Sequence, residues 1–171
     1  NGFALCAGLE TAASCDMRVA VRGAMLGMPE VRMGIPSVIE AALLPGLIGW
    51  GRTREMLLTG ETVSADGALA IGLVEKVVEA GDLDAAVDHW LDGICASAPL
   101  AVRAQKALIN RWERSPVEEG VLAGIDALAD AYLTGEPQAA IAKFHAAKMA
   151  RGRNAGSAGL PATGTTKTRQ G

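Results

Sequence analysis

A chain of 171 residues, half of them hydrophobic and with a formal net charge of -3, has the makeup of about one globular domain. The slight excess of acids, 19 Asp and Glu against 16 Lys and Arg, argues against a protein that grips nucleic-acid phosphates, which needs clustered positive charge. The longest apolar stretch, residues 38–50, is broken by Glu40 and Pro45 and is too short to span a bilayer, so no membrane partner is expected.

The chain opens on Asn-Gly-Phe-Ala-Leu, part of a strand-to-turn unit, and this start without Met predicts the later part of a longer protein, with no signal peptide at this end. A turn of small residues from Ala4 to Gly8 runs into a helix over 7–15, in which Glu10 is the charged side chain. Cys6, Ala7 and Gly8 let a ligand approach the backbone closely, and the helix start aims free N–H groups and a positive dipole end at it. Residues 17–21, Met-Arg-Val-Ala-Val, read as a returning strand. About nine helical residues advance about 14 Å and five or six extended ones about 17–20 Å, which brings 23–30 back to the level of the helix start. Pro29 stiffens the approach to Glu30, and on this reading Glu10 and Glu30 face one pocket. The plainer reading makes Glu10 a solvent-facing glutamate and Glu30 an exposed residue ahead of Arg32.

Met33-Gly34-Ile35-Pro36-Ser37 is a loop, with Ser37 the expected N-cap of a helix over 38–44 that bends at Pro45 and is broken at Gly49-Trp50-Gly51-Arg52. Helices over 52–59 and 64–71 end at Gly60 and Gly72, and 73–78 is a strand. From Asp82 the pattern is helical: 83–96, 99–114 and 116–133, with Pro99 and Pro116 in first turns behind Ser97 and Ser115 as caps, then 139–150. Residues 154–171, rich in Gly, Ser and Thr, are expected to be a disordered tail. The predicted organisation is a core over 1–80, a helical region over 81–153 and the tail over 154–171. Cys6, Cys15 and Cys95 show neither paired nor metal-type spacing, which predicts no metal site, buried thiols and a reducing, cytoplasmic compartment. Cys6 reads as a small buried hydrophobe, with a reactive thiol as the alternative. His89 and His145 stand in helices without a nearby nucleophile or ligand, and no chemistry is assigned to them.

The run Asn1-Gly2-Phe3-Ala4-Leu5-Cys6-Ala7-Gly8-Leu9-Glu10, then Cys15-Asp16, Gly27-Met28-Pro29-Glu30 and Met33-Gly34-Ile35-Pro36, closely resembles the enoyl-CoA hydratase/isomerase, or crotonase, family. Leu58-Thr59-Gly60-Glu61 and Ala70-Ile71-Gly72-Leu73-Val74 continue the resemblance, which covers roughly residues 1–150. It implies an α/β fold: part of a spiral ββα core followed by a helical C-terminal region through which family members form trimers, often paired into hexamers. It implies an acyl-CoA thioester as substrate, coenzyme A entering as part of that substrate and no separate cofactor. The thioester oxygen would lie between two backbone N–H groups, one mapping to Ala7 and the other to a loop upstream of residue 1. Cys6-Ala7-Gly8 replaces the family's usual three glycines; alanine at the middle position keeps the N–H.

By the same resemblance Glu10 and Glu30 match the two catalytic carboxylates of the hydratases, which hold a water between them, add it to the β-carbon of a 2-enoyl thioester and protonate the α-carbon on the same face. Having both favours hydration over double-bond isomerisation or thioester hydrolysis, which stay open as alternatives, as does an inactive fragment acting only in subunit association. Gly8, Pro36 and Ser37 map to the substrate pocket, where Ser37-Val38-Ile39-Glu40 replaces a glycine-rich stretch and leaves chain-length preference open. Phe144 and Lys148, four residues apart and so on one helix face, are the candidates for contact with the CoA nucleotide, with Lys143 as a substitute. The alternative there is Phe144 as helix core and the lysines as a solvated face.

Overall fold

The computed structural model describes residues 1–157. They divide into two compact units, Asn1–Gly93 and a second that begins at Ile94, so the division falls inside a helix rather than between residues 80 and 81.

In the first unit, β1 (Phe3–Leu5) pairs in parallel with β3 (Met25–Gly27), and β4 (Thr62–Ser64) adds to β3 antiparallel. A second pair, β2 (Val19–Val21) with β5 (Lys76–Val78), is also parallel. Helix α1 (Ala7–Ala13) links β1 to β2, α2 (Leu44–Thr59) precedes β4, and α3 (Ala65–Ala70) leads toward β5. Leu9, Met28, Leu44 and Leu73 are fully buried, and Ala20, Leu26, Met56 and Ala68 complete a core shared by helices and strands. Gly27 is required by close packing: a Cβ there would stand 3.0 Å from Thr62 Cα across the β3–β4 ladder.

The expected strands are shorter than their sequence patterns, for an identifiable reason. Arg18 leaves β2 because its own N–H and guanidinium are engaged elsewhere. Its side chain is 7% exposed, pairs with Glu75 at 2.5 Å, and donates to the carbonyls of Leu73 at 2.9 Å and Cys15 at 2.8 Å. Leu73 and Val74 are withdrawn from β5 because their N–H groups close α3 on Ala68 O. The three-residue strands β3 and β4 are too brief to show a period in the sequence.

The expected helix over 38–44 is a 3-10 turn, Ile39–Leu43, and its cap is Val38 rather than Ser37. The break falls at Gly49 (φ 73, ψ 162) inside α2, as expected, whereas Pro45 occupies the first turn of that helix rather than a bend within a longer one. Ser64 caps α3 by accepting the Gly67 N–H at 3.2 Å. Cys15 and Cys95 are exposed and Cys6 is half-buried, against the expectation of buried thiols; all three are free.

Helix α4 (Leu83–Cys95) leads to α5 (Pro99–Trp112), α6 (Val117–Leu133) and α7 (Glu136–Ser157). The caps of α5 and α6 are Ala98 and Pro116, not Ser97 and Ser115, and the Ser115 hydroxyl turns back to Arg111 O. Instead, Glu136 at the start of α7 accepts the Leu100 and Ala101 N–H groups at 3.2 and 2.9 Å, using an anion to close the start of α5. The Trp112 indole N–H donates to Gly120 O at 3.0 Å, and glycine is needed there because a Cβ would meet the ring at 2.8 Å. Helix α7 starts before the expected residue 139 and runs through Asn154 to Ser157, so those four residues are helical, not tail; residues 158–171 lie outside the described residues.

Candidate active site

Both glutamates leave the same end of the sheet. Leu5 of β1 lies opposite Gly27 of β3, and the Cys6 N–H donates to Gly27 O at 3.1 Å, closing the parallel pair at its C-terminal edge. Past that edge β1 runs into α1 and β3 into a 3-10 turn, Pro29–Met33, with Glu10 and Glu30 in their respective first turns. Leu9 and Met28, both fully buried, anchor the two segments from below. Glu10 and Glu30 are buried too, at 9% and 6% exposure, so neither is the solvent-facing residue of the plainer reading. A crevice beyond the carboxyl ends of neighbouring parallel strands is where α/β sheets place ligand chemistry.

Cys6 sits between them. Its backbone has φ 51 and ψ -128, in the region glycine favours, at a cost of roughly 1–3 kcal/mol. Burial, then a hydrogen bond with Glu30, then the charges of Glu30 and Glu10 push its thiol pKa up. Both carboxylates thus act on the one thiol, Glu30 more strongly than Glu10. A raised pKa leaves less thiolate at any pH below it, and the thiolate is the nucleophile. At pH 8, iodoacetamide is therefore expected to label exposed Cys15 faster than Cys6, and Glu30→Gln to narrow the gap. Peptide mapping by mass spectrometry measures both; equal labelling of Cys6 and Cys15 would contradict the arrangement.

Ala7 and Gly8 are the first two residues of α1, whose N–H groups have no acceptor within the helix, while the Leu9 and Glu10 N–H groups go to Cys6 O at 2.9 and 3.0 Å. Both residues are exposed, and a Cβ built on Gly8 meets nothing within 4 Å. The two amides therefore border open space beside the carboxylates, a setting suited to holding negative charge.

Pro36 is exposed, and Ser37 is half-buried, with its hydroxyl donating to Glu30 Oε2 at 3.0 Å. Sequence reasoning placed Ser37 as a helix cap and a pocket residue and missed this partner; the one signal for it is Gly34, whose left-handed φ of 78 reverses the chain toward Glu30. Phe144 and Lys148 lie on α7 in the second unit, both exposed, and the Phe144 ring stands edge-on to His145 at 5.9 Å, so Phe144 is not helix core. Among the described residues no group of three or more His, Cys, Asp or Glu is placed to share a metal ion.

The model of one protein family, described as enoyl-CoA hydratase/isomerase, matches residues 1–146. The chain is 36% identical over 145 residues to the short-chain-enoyl-CoA hydratase of Clostridium acetobutylicum, covering 84% of this chain and 56% of that protein. It is 35% identical over 145 residues to the crotonyl-CoA hydratase of Syntrophomonas wolfei, with the same coverage of 84% and 56%. The crystal structure of an enoyl-CoA hydratase from Bacillus anthracis superposes with a TM-score of 0.73 at 34% identity, covering 75% of this chain and 50% of that one. The chain thus spans about half the length of the curated relatives it matches. With its mixed α/β core forming part of a crotonase fold, the buried glutamate pair at the strand ends, and a family match along most of its length, the chain belongs to the enoyl-CoA hydratase/isomerase family.

Proposed function

We propose that the protein carrying this chain is an enoyl-CoA hydratase, adding water syn across the double bond of a 2-trans-enoyl-CoA. The observation that carries the reading is the pair of buried carboxylates, Glu10 and Glu30, at the ends of adjacent parallel strands. Two carboxyls that share a partly dry crevice can hold one water between them and divide the acid and base roles. As the water oxygen bonds to the β-carbon, one carboxylate takes its proton. The other glutamate, in its protonated carboxyl form, gives its proton to the α-carbon on the same face, yielding a 3-hydroxyacyl-CoA and leaving one proton on the pair as at the start.

Between those events charge builds on the thioester oxygen. The Ala7 N–H, at the positive end of α1, is one donor for it, and the second is assigned by family resemblance to a segment preceding residue 1. Coenzyme A enters and leaves with the acyl group, and no separate cofactor has a step. Gly8 gives the thioester room at the turn, while Pro36 borders the acyl group. Phe144 and Lys148 are proposed to meet the nucleotide of the CoA bound by a neighbouring subunit.

We further infer a homotrimer or hexamer. Val117, Val121, Ile125, Leu128 and Tyr132 form a stripe along one face of α6 and are all exposed, a surface that another subunit would cover. Three free cysteines fit a reducing cytoplasm. The reaction is tested by offering a short-chain 2-enoyl-CoA and its 3-enoyl isomer separately and identifying the products. Hydration of the first with no double-bond shift in the second is expected; conversion of the 3-enoyl compound without hydration would replace the reading by an isomerase.

A further inference from the structure

We propose that Ser37 is a positioning residue that holds the Glu30 carboxylate in its working orientation. The inference rests on the hydratase reading above and assigns Ser37 a task different from lining the acyl pocket. Its hydroxyl donates to Glu30 Oε2 at 3.0 Å, and a buried carboxylate with one oxygen held in this way cannot rotate freely about its last torsion. The 3-10 turn that carries Glu30 follows β3 after the single residue Met28, so its carboxylate is tied to the sheet on one side and to the Ser37 loop on the other.

The backbone around Ser37 is built for this contact. The 3-10 turn Pro29–Met33 ends at Gly34 in the left-handed conformation, where the chain doubles back and the Ile35 N–H donates to Glu30 O at 3.3 Å. Pro36 then fixes its own φ and restricts Ile35, which delivers Ser37 to the carboxylate seven residues behind it. Two residues beyond, Ile39 has φ 52, a conformation that a β-branched side chain resists, and it is 71% exposed. Strain at an exposed isoleucine gains nothing in burial. Between these two positive-φ residues, Gly34 and Ile39, the chain makes two hydrogen bonds to Glu30: from the Ile35 N–H to its carbonyl and from the Ser37 hydroxyl to its carboxylate.

The experiment is a double-mutant cycle on hydration of a short-chain 2-enoyl-CoA, combining Ser37→Ala with Glu30→Gln and adding Ser37→Thr. Ser37→Ala is expected to lower kcat about tenfold or more, with KM within about twofold of the unmodified value, as loss of a hydrogen bond to a charged group implies. In the Glu30→Gln background the same change is expected to cost less than about twofold, because the carboxylate it serves is gone. Ser37→Thr, which keeps the hydroxyl, is expected to restore kcat to within about threefold. An unchanged kcat, an equal loss in both backgrounds, or a loss confined to KM overturns the role, the last by returning Ser37 to substrate contact. If the unmodified protein hydrates no 2-enoyl-CoA, the hydratase reading fails and this role fails with it. Hydration by the unmodified protein with no effect of Ser37→Ala removes the positioning role alone.

Discussion

Glu10→Gln and Glu30→Gln are each expected to lower kcat for hydration by about 10²–10⁴, the range that a positioned acid or base contributes. Glutamine keeps the volume of each side chain and its ability to accept a hydrogen bond, so the Ser37 hydroxyl retains a partner while the charge and the exchangeable proton are lost. The ion pairs made by Arg18, Arg22 and Arg52 leave both glutamates out, so neither change breaks one of them. Thermal unfolding should therefore shift by no more than the equivalent of about 1 kcal/mol while the rate collapses. The double variant should fall little further than the weaker single one, because two groups that hold one water act as a unit. Undiminished turnover in both single variants, measured as 3-hydroxyacyl-CoA formed, would remove the proposed chemistry.

Arg18→Ala should be the most damaging single change to the first unit, costing about 3–5 kcal/mol in urea unfolding. The guanidinium is buried and reaches three carbonyls and one carboxylate at once: Leu73 O at 2.9 Å, Cys15 O at 2.8 Å, Ala12 O at 3.5 Å and Glu75 at 2.5 Å. Removing it strands acceptors at the end of α1 and before β5, and leaves a cavity where the side chain lay. Arg18→Lys should recover less than half of the loss, since a single ammonium cannot match the planar fork on separated partners. The surface cluster of Arg22 with Asp66 and Glu79 is the internal control: its side chains are 52%, 61% and 66% exposed, and Arg22→Ala should cost less than about 1 kcal/mol. A loss at Arg18 no greater than at Arg22 would refute the assignment.

The convergence of Glu10 and Glu30 was legible because it depends only on rise per residue. A helix goes out, a strand comes back, and the arithmetic returns the chain to the same sheet end, where Leu5 of β1 lies opposite Gly27 of β3 and both glutamates are buried in the first turns that follow. The long helices α5 and α6 were legible for a similar reason, since Pro99 and Pro116 mark their starts and apolar residues recur at helical spacing. What the chain hid are features set by tertiary contact. The target of the Ser37 hydroxyl depends on a left-handed reversal at Gly34, and local rules offered the equally reasonable alternative of a cap. The start of β2 is set by a guanidinium two of whose acceptors, Leu73 O and Glu75, lie more than fifty residues away, and a window of five residues cannot see them. The unpaired cysteine count suggests buried thiols, yet Cys15 lies in the bend after α1 and Cys95 at the end of α4, and both are exposed.

Arg18 also bears on the order of events in folding. Its bonds to Leu73 and Glu75 close loops of 55 and 57 residues, so these two, unlike the local ones to Ala12 and Cys15, form only after the chain between them has assembled. A contact formed that late does little for the speed of collapse and instead delays escape from the native state, making this buried cation a brake on unfolding.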